Sequence, residues 1–484
     1  MTDPADLDVL GAVALLRDGS LSARELLAAC LRRIDERNGG KPTFDGSPQE
    51  VNAFARLYGE AAEAAARAAD DRRAREGSRA PVLCGVPIAL KDLYAVEGAP
   101  LTASSRVMAG HVADSSAVAW QRLRDEGMVL VGHTHTHEFA AGGTTDQVGN
   151  PWDLARSPGG SSGGSGAALA ASMVPACLGT DTAGSLRIPA SLCGVSAIKP
   201  THGRVPMRGV VPLARTLDHA GPMARSLADC ATLLSALARE GPETTPLMPP
   251  PCPLGDLPTG ARSTPRPLEG VTVALTERPA EAGLEPDVAD GLEHARRACE
   301  ELGARVVELT SPGDLPGDEV SVILFSEVAD HHARHAHALD RYRTSIREFV
   351  ELSTTFTDVG AYLRAQERRA EVTAEWERWF AEHDVDVVLE PTTKCTAPLR
   401  GEGYDSGRLG GEGDPLIELT GTWNVTGFPV AAIPAGLGAS SGMPVGISLI
   451  APRGMEARVV QIGIDLQQHA LPSLGPPSFA KETT

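Results

Sequence analysis

Gly159-Gly160-Ser161-Ser162-Gly163-Gly164-Ser165-Gly166 closes a stretch from 142 to 166 dominated by Gly, Ser and Thr, and its reading decides how the chain is organised. A run of this composition is either a flexible linker between domains or an active-site loop within one. The flanking sequence favours the loop. Residues 167–176 resume as an apolar helix of small residues and Ile188 to Ile198 is apolar again, so the glycines lie inside a core region. The break in composition that a linker would make lies elsewhere, at 241–268, which is rich in Pro, Gly and Thr.

Upstream, Val82-Leu83-Cys84-Gly85-Val86-Pro87-Ile88-Ala89-Leu90-Lys91-Asp92 reads as strand, turn and strand, ending on a lysine, and Met128 to Gly132 reads as another strand. Ala-rich sequence with Glu and Arg predicts a helix over 50–76. Val9, Val13 and Leu16, then Leu27, Leu31 and Ile34, recur at helical spacing. They predict two amphipathic helices over 8–36, broken near Gly19 and restarted by Ser22 as N-cap. Downstream, Val271 to Leu275, a helix over 287–302 and Val306 to Leu309 predict a β-α-β unit. Helices fill 317–382, and Val385 to Leu389, Val430 to Ile433 and Val445 to Leu449 read as late strands. The expectation is an α/β fold in one domain over residues 1–484, with 241–268 as an insert.

Hydrophobic residues make up 42% and charged residues 22%, the balance of a globular protein. Acidic side chains outnumber basic ones 63 to 44, a formal charge of -19, so a polyphosphate backbone is repelled and nucleic acid is not an expected partner. The eight cysteines form no C-x-x-C pair and read as reduced thiols. The start Met1-Thr2-Asp3-Pro4-Ala5-Asp6 lacks the basic and apolar parts of a secretory signal, and later apolar runs are interrupted before they could span a bilayer. A cytoplasmic protein without membrane partners is expected.

Three separated segments carry the chemistry: Gly85 to Asp92, Gly159 to Gly166, and Gly179-Thr180-Asp181-Thr182-Ala183-Gly184-Ser185-Leu186-Arg187-Ile188-Pro189. Together they resemble the amidase signature family, in its order and at about its spacing. Cys193-Gly194-Val195, Lys199-Pro200-Thr201, Gly203-Arg204-Val205, Asp218 with Gly221-Pro222, Thr422-Trp423-Asn424, Gly427-Phe428-Pro429 and Gly442 to Gly446 extend the resemblance over most of the chain from about 80 onward. The resemblance implies a mixed twisted β-sheet surrounded by α-helices, and hydrolysis of an amide bond with no metal and no organic cofactor.

By position, the resemblance implies Ser185 as nucleophile, Ser161 as a bridging serine after a cis Gly160–Ser161 peptide, and Lys91 as base. Elementary chemistry agrees. A serine hydroxyl needs a neighbouring base, and a lysine serves only when neutral, so its free pKa of about 10.4 must fall. Burial at the end of an apolar strand does this by penalising the ammonium. The run Thr182, Ala183, Gly184 and Ser185 would present backbone N–H groups to the tetrahedral oxyanion, where losing one donor typically costs about a hundred- to a thousand-fold in rate. Ser162 supports the loop, and Asp181 and Arg187 either pair to hold it or form a surface ion pair.

Bland readings stand beside these. A lysine at a strand end is by default solvated, and only the triple pattern overturns that for Lys91. His133, His135 and His137 alternate and would share a face on a strand, where they either hold a metal or fill polar positions. His331 and His335 fall on one helical face, expected to be solvated. Thr102, Phe139 and Trp423 line a pocket or pack the core.

The expected function is therefore a serine-dependent amidase acting on a small-molecule amide, with a homodimer as the default assembly. One alternative is the glutamine-hydrolysing amidase subunit of a transfer-RNA-dependent amidotransferase, which usually carries glycine at the position of Ala183 and glutamine at that of Ile188. The other is a catalytically silent binding protein on the same fold.

Overall fold

The computed structural model describes residues 3–238, 254–401, 414–472 and 474–477. Among them, eleven strands form a single mixed sheet: β1 Phe54–Leu57, β2 Pro87–Lys91, β3 Val129–Thr134, β4 Ala176–Asp181, β5 Ser196–Lys199, β6 His219–Ala224, β7 Thr272–Leu275, β8 Arg305–Glu308, β9 Val387–Pro391, β10 Val430–Leu437 and β11 Pro444–Ile450. Their order is β1-β3-β2-β4-β6-β5-β10-β11-β9-β7-β8. The helices are α1 Val9–Asp18, α2 Ala23–Arg37, α3 Gly59–Glu76, α4 Val118–Asp125, α5 Gly163–Ala170, α6 Arg187–Cys193, α7 Leu227–Leu237, α8 Arg278–Ala282, α9 Pro286–Glu301, α10 Gly317–His332, α11 Thr344–Ser353, α12 Val359–Glu382, α13 Thr422–Val425 and α14 Glu456–His469. None of the described helices is long and apolar enough to cross a membrane.

Strands β2 to β6 are buried at every position, so both faces of this part of the sheet are covered; most of their residues are apolar or small, and Lys91, His133, Asp181, Lys199 and His219 are buried among them. Strand β2 runs parallel to β3 on one side and β4 on the other. Their carboxyl ends, Lys91, Thr134 and Asp181, therefore share one edge of the sheet, where ligands bind in open α/β sheets.

Local chemistry explains the elements that were legible. Ser22 and Glu25 form a reciprocal capping box at the start of α2, and Gly19 ends α1 in a left-handed conformation. The β-α-β unit is present as β7, α9 and β8, with the strands parallel. Helices α10, α11 and α12 occupy most of 317–382.

Other expectations are corrected. The helix over 50–76 begins only at Gly59, because Phe54 to Leu57 is drawn into an antiparallel pair with β3. Residues 82–85 form a turn, so 82–92 holds one strand. The helix read at 167–176 starts earlier, inside the Gly/Ser run, and stops at Ala170. Gly164 packs so closely on the backbones of Ala53 and His135 that a Cβ there would sit 2.5–2.6 Å from their atoms, which is why so glycine-rich a run is helix and not linker. Of the Pro/Gly-rich insert, residues 241–253 lie outside the described residues, and 254–268 carry neither helix nor strand.

Candidate active site

Strand β2 delivers Lys91 to the carboxyl edge of the sheet with its side chain fully buried. Its Nζ donates to Ser161 Oγ at 2.7 Å and to Thr180 Oγ1 at 2.8 Å. Burial drives the amine down to about 7, against the Asp181 and Asp218 carboxylates, which pull it up. An amine near neutrality beside a hydroxyl can accept a proton at ordinary pH.

Ser161 follows a cis Gly160–Ser161 peptide at the entrance to α5. Its carbonyl accepts from His137 N at 3.0 Å and from Thr145 Oγ1 at 3.3 Å, which fixes the backbone from the β3 side. Ser162 faces the other way. Its N–H donates to the Ser185 carbonyl at 3.3 Å, and its hydroxyl exchanges bonds with the Thr180 backbone at 3.2 and 3.3 Å. The loop thus meets Lys91 through one serine and the Ser185 segment through the next.

Ser185 sits between β4 and α6, on a turn built by Asp181. The Asp181 carboxylate accepts from Gly184 N at 2.8 Å and Leu186 N at 3.1 Å, and from Arg187 Nε at 3.0 Å and Nη2 at 2.9 Å. Neither side chain of the pair reaches solvent, so the surface reading fails: the guanidinium spans the turn from inside. Asn424 on α13 donates to the Asp181 carbonyl at 2.9 Å and carboxylate at 2.8 Å, and accepts from Arg187 Nη2 at 2.6 Å. Thr182 Oγ1 donates to Asp218 at 2.6 Å. Gly184 has φ +132°, and a side chain there would collide with Thr420 and Ile188.

The Gly184 N–H, one of the expected oxyanion donors, donates to the Asp181 carboxylate at 2.8 Å. Ser185 is 7% exposed, and its Oγ makes no hydrogen bond among the described residues. Lys91 and Ser161 are brought together directly, whereas Ser185 joins them through its backbone contact with Ser162.

Thr180, Asn424 and Asp218 went unassigned in the sequence. Thr180 lies on the same strand as Asp181 within the third quoted segment, and period-two alternation would have put it on the other face from Asp181, toward Lys91. Asn424 and Asp218 offered only family position.

The alternating histidines do not converge. His133 bonds Tyr58 OH at 2.6 Å and the Tyr94 carbonyl at 2.9 Å, His135 the Thr43 carbonyl at 2.9 Å, and His137 the Thr144 carbonyl at 2.8 Å. Among the described residues no group of three or more His, Cys, Asp and Glu is arranged to hold a metal ion. The solvated-face expectation fails for His331: with His332 it is buried against Phe139. Thr102 donates to Asp92, and Trp423 donates to Glu390 at 3.0 Å within an aromatic core containing Trp376 and Phe428.

Residues 43–460 match the model of the family described as Amidase. The chain is 35% identical to a glutamyl-tRNA(Gln) amidotransferase subunit of Chloroflexus aurantiacus, over 96% of each protein. A solved amidase superposes with a TM-score of 0.80 at 30% identity, over 96% of this chain and all of that one. The peptide amidase of Stenotrophomonas maltophilia does so with a TM-score of 0.80 at 26% identity, over 98% of this chain and 99% of that one. The match along almost the whole length, on the same single mixed sheet, places this chain in the amidase signature family of hydrolases.

Proposed function

We propose that the chain is an amidase that hydrolyses a carbon–nitrogen amide bond of a small molecule, with Ser185 as nucleophile, Ser161 as proton bridge and Lys91 as base. The observation that carries this is the buried Lys91 amine, lowered to about 7 and 2.7 Å from Ser161 Oγ. In this reading Ser185 Oγ attacks the carbonyl carbon and passes its proton to Ser161, whose own proton moves to Nζ. The oxyanion takes hydrogen bonds from the N–H groups of Thr182, Ala183 and Ser185. The C–N bond breaks, and the proton returns through Ser161 to the leaving nitrogen. Water then attacks the Ser185 ester, the same relay takes its proton and returns it to Ser185 Oγ as the acyl C–O bond breaks, and the acid departs. The Asp181–Arg187–Asn424 network supports the turn during both halves. Residues 1–484 are read as one catalytic domain, supported by the single sheet.

A second reading, the glutamine-hydrolysing subunit of an amidotransferase, is favoured by the identity to the Chloroflexus aurantiacus protein. Against it, the position where such subunits resemble this chain but carry glutamine is Ile188, fully buried among Leu192, Ala397, Leu416 and Met443. Assaying the purified chain alone on a panel of simple amides, by ammonia release and mass spectrometry, separates the two. Turnover without partners supports the amidase; turnover confined to glutamine in a complex contradicts it.

A further inference from the structure

A cleft of about 500 Å³ lies between the loop 95–115, the turn 209–212 and the end of α10. Its wall is apolar over Leu101, Met108, Val210 and Val211, and polar at one end, where His331, Arg334 and His335 stand. Small-molecule pockets have this make-up, a hydrophobic lining with a few convergent polar groups.

His331 is the telling side chain. It is 5% exposed, and neither ring nitrogen has a hydrogen-bond partner among the described residues. Buried polar groups in native proteins are paired, so an orphaned imidazole on a cleft wall points to a ligand that supplies the missing bonds. Burial holds the ring neutral, leaving one N–H donor and one acceptor. Arg334 Nε donates to the His331 carbonyl at 3.0 Å, which anchors the guanidinium at the same end. The His335 ring centre lies 5.9 Å from that of His331. His111 and Asp114, both exposed on the loop, are the other ionisable groups of the lining, and Asp114 is its one acid.

The cleft is also joined to the catalytic edge. Phe139 packs on the His332 and His335 rings at 4.7 and 5.7 Å. Phe139 and Ala140 are both left-handed, with φ +51° and +62°, a conformation that non-glycine residues keep only where their surroundings enforce it. Two residues before Phe139, His137 N holds the Ser161 carbonyl. On the other wall, Val211 N donates at 2.9 Å to Leu93, two residues beyond Lys91.

We infer that this cleft binds a small organic carboxylate, its apolar body against Leu101, Met108 and Val211 and its carboxylate received by His331, Arg334 and His335. The same chemistry has two sources, the far end of an amide substrate or a separate effector. The inference does not depend on the hydrolytic reading, because binding is measured without turnover.

The test is calorimetric titration of the full chain with hexanoate, and with hexylamine as control, in wild type, His331→Leu and Arg334→Gln. Neither substitution touches Lys91, Ser161 or Ser185. Saturable hexanoate binding is expected, weakened at least tenfold in both variants, with hexylamine much weaker. Hexanoate that competes with an amide substrate marks the far end of the substrate pocket; hexanoate that changes kcat without competing marks an effector. Either keeps the carboxylate in the cleft. No saturable hexanoate binding, equal binding in wild type and both variants, or hexylamine bound as tightly would overturn the inference.

Discussion

Asp181 and Arg187 bind each other through two parallel hydrogen bonds, 3.0 and 2.9 Å long, entirely inside the protein and across the turn that carries Ser185. The guanidinium holds the Asp181 carboxyl far below the usual carboxylate range, although burial alone would raise it. The same carboxylate caps Gly184 and Leu186, so the pair sets the shape of the turn as well as its charge.

Removing one partner strands a buried charge. Arg187→Met should lower unfolding stability by about 3–5 kcal/mol, read by urea denaturation, and reduce kcat with it. Arg187→Lys keeps the charge but loses the fork, and should recover only part of either.

The pH profile follows from Lys91. In the proposed mechanism the active amine is the neutral one, so kcat/KM should rise with pH through about 7, the value set by burial, and level off above it. An acid limb lying below pH 5, or one near 10, would exclude this lysine as the base.

Thr180 accepts from Lys91 Nζ at 2.8 Å, and in the proposed mechanism this bond steadies the ammonium that forms when the proton arrives. A hydrogen bond to a charged group contributes about 1.5–3 kcal/mol. Thr180→Val should therefore lower kcat by about tenfold to a hundredfold, and Thr180→Ser should restore most of it. Steady-state kinetics with an unchanged thermal midpoint would check this.

Asp218 is pushed up to about 7 by burial, although Thr182 Oγ1 and two backbone N–H groups donate to it. Its charge pulls the Lys91 pKa upward, and the two titrate in one range, so the acid limb belongs to the pair. Asp218→Asn removes that pull and should move the limb to lower pH. A limb that stays or rises contradicts the coupling.

What was legible in the sequence was local. The Ser22 N-cap, the β7-α9-β8 unit and the end of β2 at Lys91 come from residues whose neighbours in sequence define them, whereas β3 runs two residues beyond the expected Gly132, to Thr134. What was not legible depends on distant partners. His219 to Ala224 has no β-branched residue and carries Pro222 in mid-strand, yet it is the strand between β4 and β5, because its small residues fit there. The Gly184 N–H could be assigned only once Asp181 was seen to turn back on it. Lys91 and Ser161 are separated by 70 residues, and their pairing was inferred from a family pattern before the geometry placed Nζ 2.7 Å from Oγ.

The most direct test is the rate at which a fluorophosphonate labels Ser185, followed by intact-mass and peptide mass spectrometry, in wild type and in Lys91→Ala with folding confirmed by circular dichroism. A base acting through Ser161 requires wild-type labelling at Ser185 and its near-complete loss when the amine is removed. Labelling of folded Lys91→Ala at the wild-type rate, or modification at another serine, would contradict the account.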